Sequence, residues 1–163
     1  MADEDQNPVQ EVEPPLSIAQ ASVDDKGRLK LPADLKAFLE TTVSKRFFIT
    51  TLDKRLGRIY PMELWKQNLL LMQAQKEKAK SAERMAFMAK AYGGEATIDG
   101  SSRLLLPAKL REVLSLQEKQ PVWLDVYKGR VTLVTQAVYD ERMAAAEANM
   151  ASDLEALEAE GLF

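Results

Sequence analysis

The chain of 163 residues contains no cysteine and no histidine. Without cysteine there is no disulfide framework and no thiolate nucleophile. Without histidine, His-dependent catalytic triads and His/Cys zinc sites are excluded together. Carboxylate-only magnesium or calcium chemistry survives that test, but no acidic cluster of the EF-hand type is present. No apolar run approaches the ~18 residues that span a bilayer. The N-terminus is acidic and lacks the basic and apolar regions of a secretory signal. What remains is a composition of 46% hydrophobic and 29% charged residues, which reads as an ordinary globular chain. A cytoplasmic protein without catalytic residues, metal site, cofactor or small-molecule substrate is expected.

The net charge of −3 conceals an uneven distribution. Residues 1–17 carry five acids and no base; residues 140–163 carry seven acids against Arg142 alone. Removing −5 and −6 from −3 leaves +8 for residues 18–139, which hold 21 bases and 13 acids. A basic body between acidic ends suits a polyanionic partner, because binding follows the local field. A solvated lysine-rich surface is the plainer reading of the same surplus.

The body contains a repeat. Residues 22–40, SVDDKGRLKLPADLKAFLE, align without gaps at an offset of 75 with residues 97–115, TIDGSSRLLLPAKLREVLS, and eight of 19 positions are identical. Asp24, Arg28, Leu29, Leu31, Pro32, Ala33, Leu35 and Leu39 match Asp99, Arg103, Leu104, Leu106, Pro107, Ala108, Leu110 and Leu114. Each copy predicts a short strand, an Asp-led turn, a second strand leaving from Arg, and a helix that starts at proline. A hairpin with glycine at its turn follows in each copy, RFFITTL with GRIY and PVWLDVY with RVTLV. One copy of roughly 45 residues is too small to bury a core alone, so two copies sharing one core are expected.

This gives five segments: an acidic, disordered extension at 1–17, a first repeat at 18–61, a helical linker at 62–92 broken near Ser81, a second repeat at 93–135, and an amphipathic acidic helix at 136–163. In that last segment Tyr139, Met143, Ala146, Met150, Leu154 and Leu157 recur every three or four residues. The stripe suits packing on its own domain or on a neighbouring subunit.

Asp24 and Asp99 read first as structural residues: a carboxylate at a strand end accepts N–H groups two residues on, and an arginine four residues later returns to it. Projecting from the first turn, Lys26, Gly27, Arg28 and Lys30 form a basic ribbon with an approachable backbone. Strand alternation sends Arg28 and Lys30 to one face and Leu29 and Leu31 to the other. A ribbon of this size fits the DNA major groove, where arginine pairs with guanine or clamps phosphate. Arg103 is the matching basic residue of the second turn.

VDDKGRLKLP and TIDGSSRLLLPAKLR, separated by a helical linker and with GRIYPMELW between them, resemble the two D-x-x-x-R repeats of the MraZ family of bacterial transcriptional regulators, within the AbrB/SpoVT-like superfamily. The resemblance spans about residues 18–139. It implies an α+β fold of tandem duplicated swapped-hairpin units sharing one core, with a central helical pair and a C-terminal helix. It further implies ring-like homo-oligomers on double-stranded DNA, at repeated promoter boxes of a cell-division and cell-wall gene cluster, as a nucleoid-associated repressor. The motif transfers onto Asp24, Lys26, Gly27 and Arg28, and onto Asp99 and Arg103. Ser102 stands where the family commonly keeps glycine, and no lysine accompanies the second turn, so the first loop is expected to be the main DNA contact. An oligomeric scaffold without DNA binding is the alternative. A phosphate-handling enzyme built on the GSSR turn lacks both a P-loop and paired carboxylates.

Overall fold

The computed structural model describes residues 12–117 and 119–163. Most of the acidic N-terminal extension, residues 1–11, lies outside them; residues 12–18 form neither helix nor strand. The fold is α+β. The first repeat supplies β1 (Ala19–Ser22), β2 (Arg28–Lys30), α1 (Ala33–Leu39), β3 (Phe47–Thr50) and β4 (Gly57–Pro61). Two linker helices follow, α2 (Met62–Gln73) and α3 (Ala79–Tyr92). The second repeat supplies β5 (Gly94–Ala96), β6 (Arg103–Leu105), α4 (Ala108–Val113), β7 (Pro121–Tyr127) and β8 (Arg130–Thr135), and α5 (Gln136–Ala159) ends the chain.

The local sequence explains most of these boundaries. Pro32, Pro61 and Pro107 stand immediately before α1, α2 and α4 in extended backbone, where the missing N–H leaves no helical bond unmade. Lys128 and Gly129 both take positive φ between β7 and β8, the geometry of a tight two-residue hairpin turn. In the longer β3–β4 loop, the Asp53 carboxylate accepts the N–H groups of Arg55 and Leu56, each at 2.9 Å.

Pairing between strands follows the repeat. An antiparallel six-stranded sheet has the order β1-β7-β8-β4-β3-β5. At the offset of 75, β1 corresponds to β5, β3 to β7 and β4 to β8, so this order is palindromic. Each repeat's opening strand lies on the other repeat's hairpin, β1 on β7 and β5 on β3. β2 and β6 form a separate two-stranded ribbon in which Leu29 faces its own equivalent, Leu104. Within the first repeat, β1 and β2 are joined by the single bridge Val23–Leu29. The strand–turn–strand read from the sequence is therefore completed across the repeats.

One core serves both copies. Leu29, Leu31, Leu35 and Leu39 pack in the same buried cluster as Leu104, Leu106, Leu110 and Leu114, closed by Phe47, Ile49, Ile59, Val122, Leu124, Val131 and Leu133. Each such side chain contributes about 1.5–3 kcal/mol by leaving water. Each copy supplies eight of the sixteen buried residues of this cluster.

A second, smaller cluster of Tyr60, Met62, Trp65 and Ala89 holds the linker helices. Trp65 stacks on Phe48 with ring centroids 4.6 Å apart. The linker breaks at residues 74–78, earlier than the break expected near Ser81. Trp65 on α2 and Ala89 on α3 join the same cluster, so the chain must reverse between them. It does so where Gln75 to Lys78 offer no apolar side chain to the core.

The C-terminal helix starts with the Thr135 hydroxyl accepting the Val138 N–H at 3.3 Å. Its first turns rest on the sheet, with Tyr139 stacked on Trp123 at 4.0 Å and Arg55 paired with Glu141 at 2.6 Å. From Asp140 onward every residue is exposed. Beyond Tyr139, the apolar stripe packs against nothing among the described residues.

Candidate nucleic-acid interface

The two Asp-led turns are built alike. One oxygen of Asp24 accepts the N–H groups of Lys26 at 3.0 Å and Arg28 at 2.9 Å, and the other accepts Arg28 Nε at 2.8 Å. Asp99 repeats this with Ser101 N–H at 2.8 Å, Arg103 N–H at 3.0 Å and Arg103 Nε at 3.1 Å. The Asp24 carboxyl is held below its ordinary range chiefly by the Arg28 backbone N–H, which outweighs partial desolvation. For Asp99 desolvation is the largest influence and acts upward. The N–H groups of Ser101 and Arg103, with the Arg103 guanidinium, together reverse it.

The turns lock to each other through reciprocal backbone bonds. Leu31 donates its N–H to the Ser102 carbonyl, and Leu106 donates to the Gly27 carbonyl, each at 2.9 Å. These are equivalent bonds exchanged between copies, and with Leu29 opposite Leu104 they define a local two-fold relation through the ribbon. The inner face of the ribbon is closed by Leu29 and Leu104, both fully buried. Its outer face carries Arg28, Lys30 and Arg103, with Leu105, 57% exposed, at the position equivalent to Lys30.

Lys30 and Arg103 stand directly opposite in register, a like-charged pair that destabilises a ribbon unless compensated. Two contacts compensate it. Lys30 Nζ donates to the Ser101 carbonyl at 2.8 Å, and Asp24 lies 3.8 Å from Arg103 Nη1. The second turn has no lysine of its own, and the first repeat supplies one. Lys26 sits at the tip of the first turn and is exposed. Thus Arg28, Lys30 and Arg103 share the outer face of the ribbon, with Lys26 at the adjoining turn tip, and each arginine is held by a turn aspartate that is itself solvent-accessible.

Gly27 and Ser102 occupy the same place in the two turns and both take left-handed backbone, φ 81° and 62°. Serine carries strain there that glycine does not. Gly27 also has a reason beyond its dihedral. A Cβ at this position would lie 2.3 Å from Cζ of Arg111, whose Nε donates to the Leu106 carbonyl at 3.3 Å. The Arg111 guanidinium on α4 therefore lies against the first loop and adds a cation beside the ribbon. Its equivalent in the first repeat, at the offset of 75, is Lys36. Lys36 instead pairs along its own helix with Glu40 at 3.6 Å. The signal available was the residue type, since a planar guanidinium can lie flat on backbone where an ammonium cannot.

Fold and surface together define a class: a duplicated α+β protein whose two halves complete each other's sheet and present a basic two-stranded ribbon. Comparison with known proteins refines this. No family model matches the chain. Three relatives each described as "Transcriptional regulator MraZ" are similar to it. That of Desulfitobacterium hafniense (strain Y51) is 33% identical over 140 residues, covering 83% of this chain and 91% of the relative. That of Acidobacterium capsulatum is 38% identical over 94 residues, covering 55% and 62%. That of Koribacter versatilis is 31% identical over 96 residues, covering 58% and 65%. The chain thus spans somewhat under two thirds of the length of these last two relatives. It belongs to the MraZ family.

Proposed function

We propose that this chain is a sequence-specific DNA-binding transcriptional regulator that acts as a repressor on repeated promoter boxes. The observation that carries this reading is the outer face of the β2–β6 ribbon, where Arg28, Lys30 and Arg103 project from a strand pair whose reverse face is buried. Rigid backing matters because a side chain that must be ordered on binding loses part of its contact energy. The relatives' description as transcriptional regulators supports the same reading. On this proposal the two interlocked turns are the swapped-hairpin unit of the AbrB/SpoVT-like superfamily. Arg28 reads a base edge in the major groove, and Lys26, Lys30 and Arg103 neutralise phosphates. One ribbon makes few contacts, so useful affinity requires a homo-oligomer, in a closed ring, engaging several boxes at once. The setting is the cytoplasm, at the nucleoid, upstream of a cell-division and cell-wall gene cluster.

Selection of bound fragments from the host's genomic DNA tests this reading. Tandem short boxes upstream of one cluster are the expected yield. Log K should fall with log[salt] with a slope of about −0.9 for each phosphate contacted. No enriched fragment, together with an affinity indifferent to salt, overturns it. The exposed length of α5 favours the second reading, an oligomeric scaffold, which predicts stable assemblies and no enrichment.

A further inference from the structure

Two apolar surfaces of this chain lack a partner among the described residues. One is the stripe on α5. At 100° per residue, Met143, Ala146, Met150, Leu154 and Leu157 fall within about 80° of arc and extend over about 21 Å. The other is a groove between α2 and α3 with a volume of about 400 Å³, walled by Leu69, Met72 and Phe87 and floored by Ala79, Ala82 and Ala86. Phe87 is 75% exposed at its rim. Small floor residues let a helix approach closely, and the span from Ala79 to Lys90 is about 17 Å, close to the length of the stripe.

Charge selects the match. Residues 136–163 carry seven acids and one arginine, whereas residues 62–92 carry six bases and three acids. Pairing α5 with a second α5 would bring two strongly acidic helices together. Pairing it with the α2–α3 helices joins opposite signs, because residues 62–92 carry a surplus of three bases, although at the groove itself Lys90 is accompanied by Glu83.

Geometry selects a partner copy. The root of α5 is fixed by Tyr139 on Trp123, by the Trp123 Nε1 bond to Gln136 at 3.0 Å and by Arg55 on Glu141. The helix then runs without glycine or proline to Glu160 and is exposed throughout its outer length. Its outer residues are exposed, and none of them lines the groove of its own chain.

We infer that the Met/Leu stripe of α5 docks into the α2–α3 groove of a second copy of this chain. The stripe and groove are different surfaces, so the contact is head-to-tail and propagates until it closes into a ring or continues as a filament. Methionine suits such a seat because its flexible side chain adapts to an irregular groove. The inference rests on the self-association in the proposed function and is independent of DNA binding.

The chain lacks cysteine, so single cysteines report contacts without background. Full-length Met150→Cys and Ala82→Cys, co-expressed with tags of different length and oxidised mildly without DNA, should give the mixed disulfide dimer several-fold above either self-dimer. A predominance of Met150→Cys self-dimers overturns the docking, as does a monomer mass with no cross-link. The double variant Met150→Glu/Leu154→Glu alters exposed positions only, and its helix content by circular dichroism should match wild type. Native mass spectrometry should find its assembly reduced at least tenfold. If oligomers persist unchanged in that variant, self-association stands and this seat for α5 is wrong.

Discussion

The Asp24 carboxylate is shared between the two repeats: the oxygen that accepts Arg28 Nε at 2.8 Å lies 3.8 Å from Arg103 Nη1. Asp99 holds its own arginine, Arg103, and is not paired with Arg28. The two turns are thus alike in hydrogen bonding and unlike in electrostatic reach.

Asp24→Asn should therefore lower the thermal midpoint more than Asp99→Asn. It should also weaken fragment binding more, because it releases two cations of the ribbon instead of one. Thermal melts and gel shifts on both variants check this. Equal losses, or a larger loss for Asp99→Asn, refute a bridging role for Asp24.

Acid should erase the difference. Both carboxyls are held below the ordinary value of 3.8, so their contribution to stability is complete above that value. It is lost as pH falls through the lower folded-state values. Wild type and Asp24→Asn should differ in melting temperature at pH 7 and converge progressively as pH falls below 3.8. A gap that persists in strong acid assigns the effect to packing.

Ser102 offers a test of backbone strain. Ser102→Gly relieves a left-handed φ and should stabilise the fold by about 0.5–1 kcal/mol, or roughly 1–4 °C in melting temperature. The equivalent change in the other turn has the opposite sign. Gly27→Ala adds strain and drives a Cβ into the Arg111 guanidinium, so its melting temperature should fall. A stabilised Gly27→Ala refutes the packing of Arg111 on this loop.

For the proposed base reader, Arg28→Ala should weaken specific binding by about 1–3 kcal/mol and relax sequence preference at one position. Lys26→Ala should weaken all sequences alike and reduce the salt slope by about one contact. Titrations against cognate and scrambled boxes at two salt concentrations separate the two effects. If Arg28→Ala binds cognate DNA as wild type does, its role as a base reader fails.

The repeat, the alternating leucines, the prolines before α1 and α4 and the glycine turn of the second hairpin were legible in the chain itself. Each depends on interactions within a few residues, which leave a local pattern. The Asp-to-Arg span in each turn was legible for the same reason. Partner choice was not. Lys30 reaches Ser101 across 71 residues of sequence, Arg111 lies on Gly27, and β2 pairs with β6.

By itself, then, the sequence determined two copies of one unit, their turn chemistry and the strand alternation that separates Leu29 and Leu31 from Arg28 and Lys30. Only the tertiary structure decided that the copies complete each other, with Leu29 against Leu104 and β1 against β7. It also decided that α5 is rooted on the sheet through Tyr139 and exposed from Asp140 onward. The reason is that a local pattern states which face of an element is apolar, whereas the other residues able to bury that face are set by long-range packing.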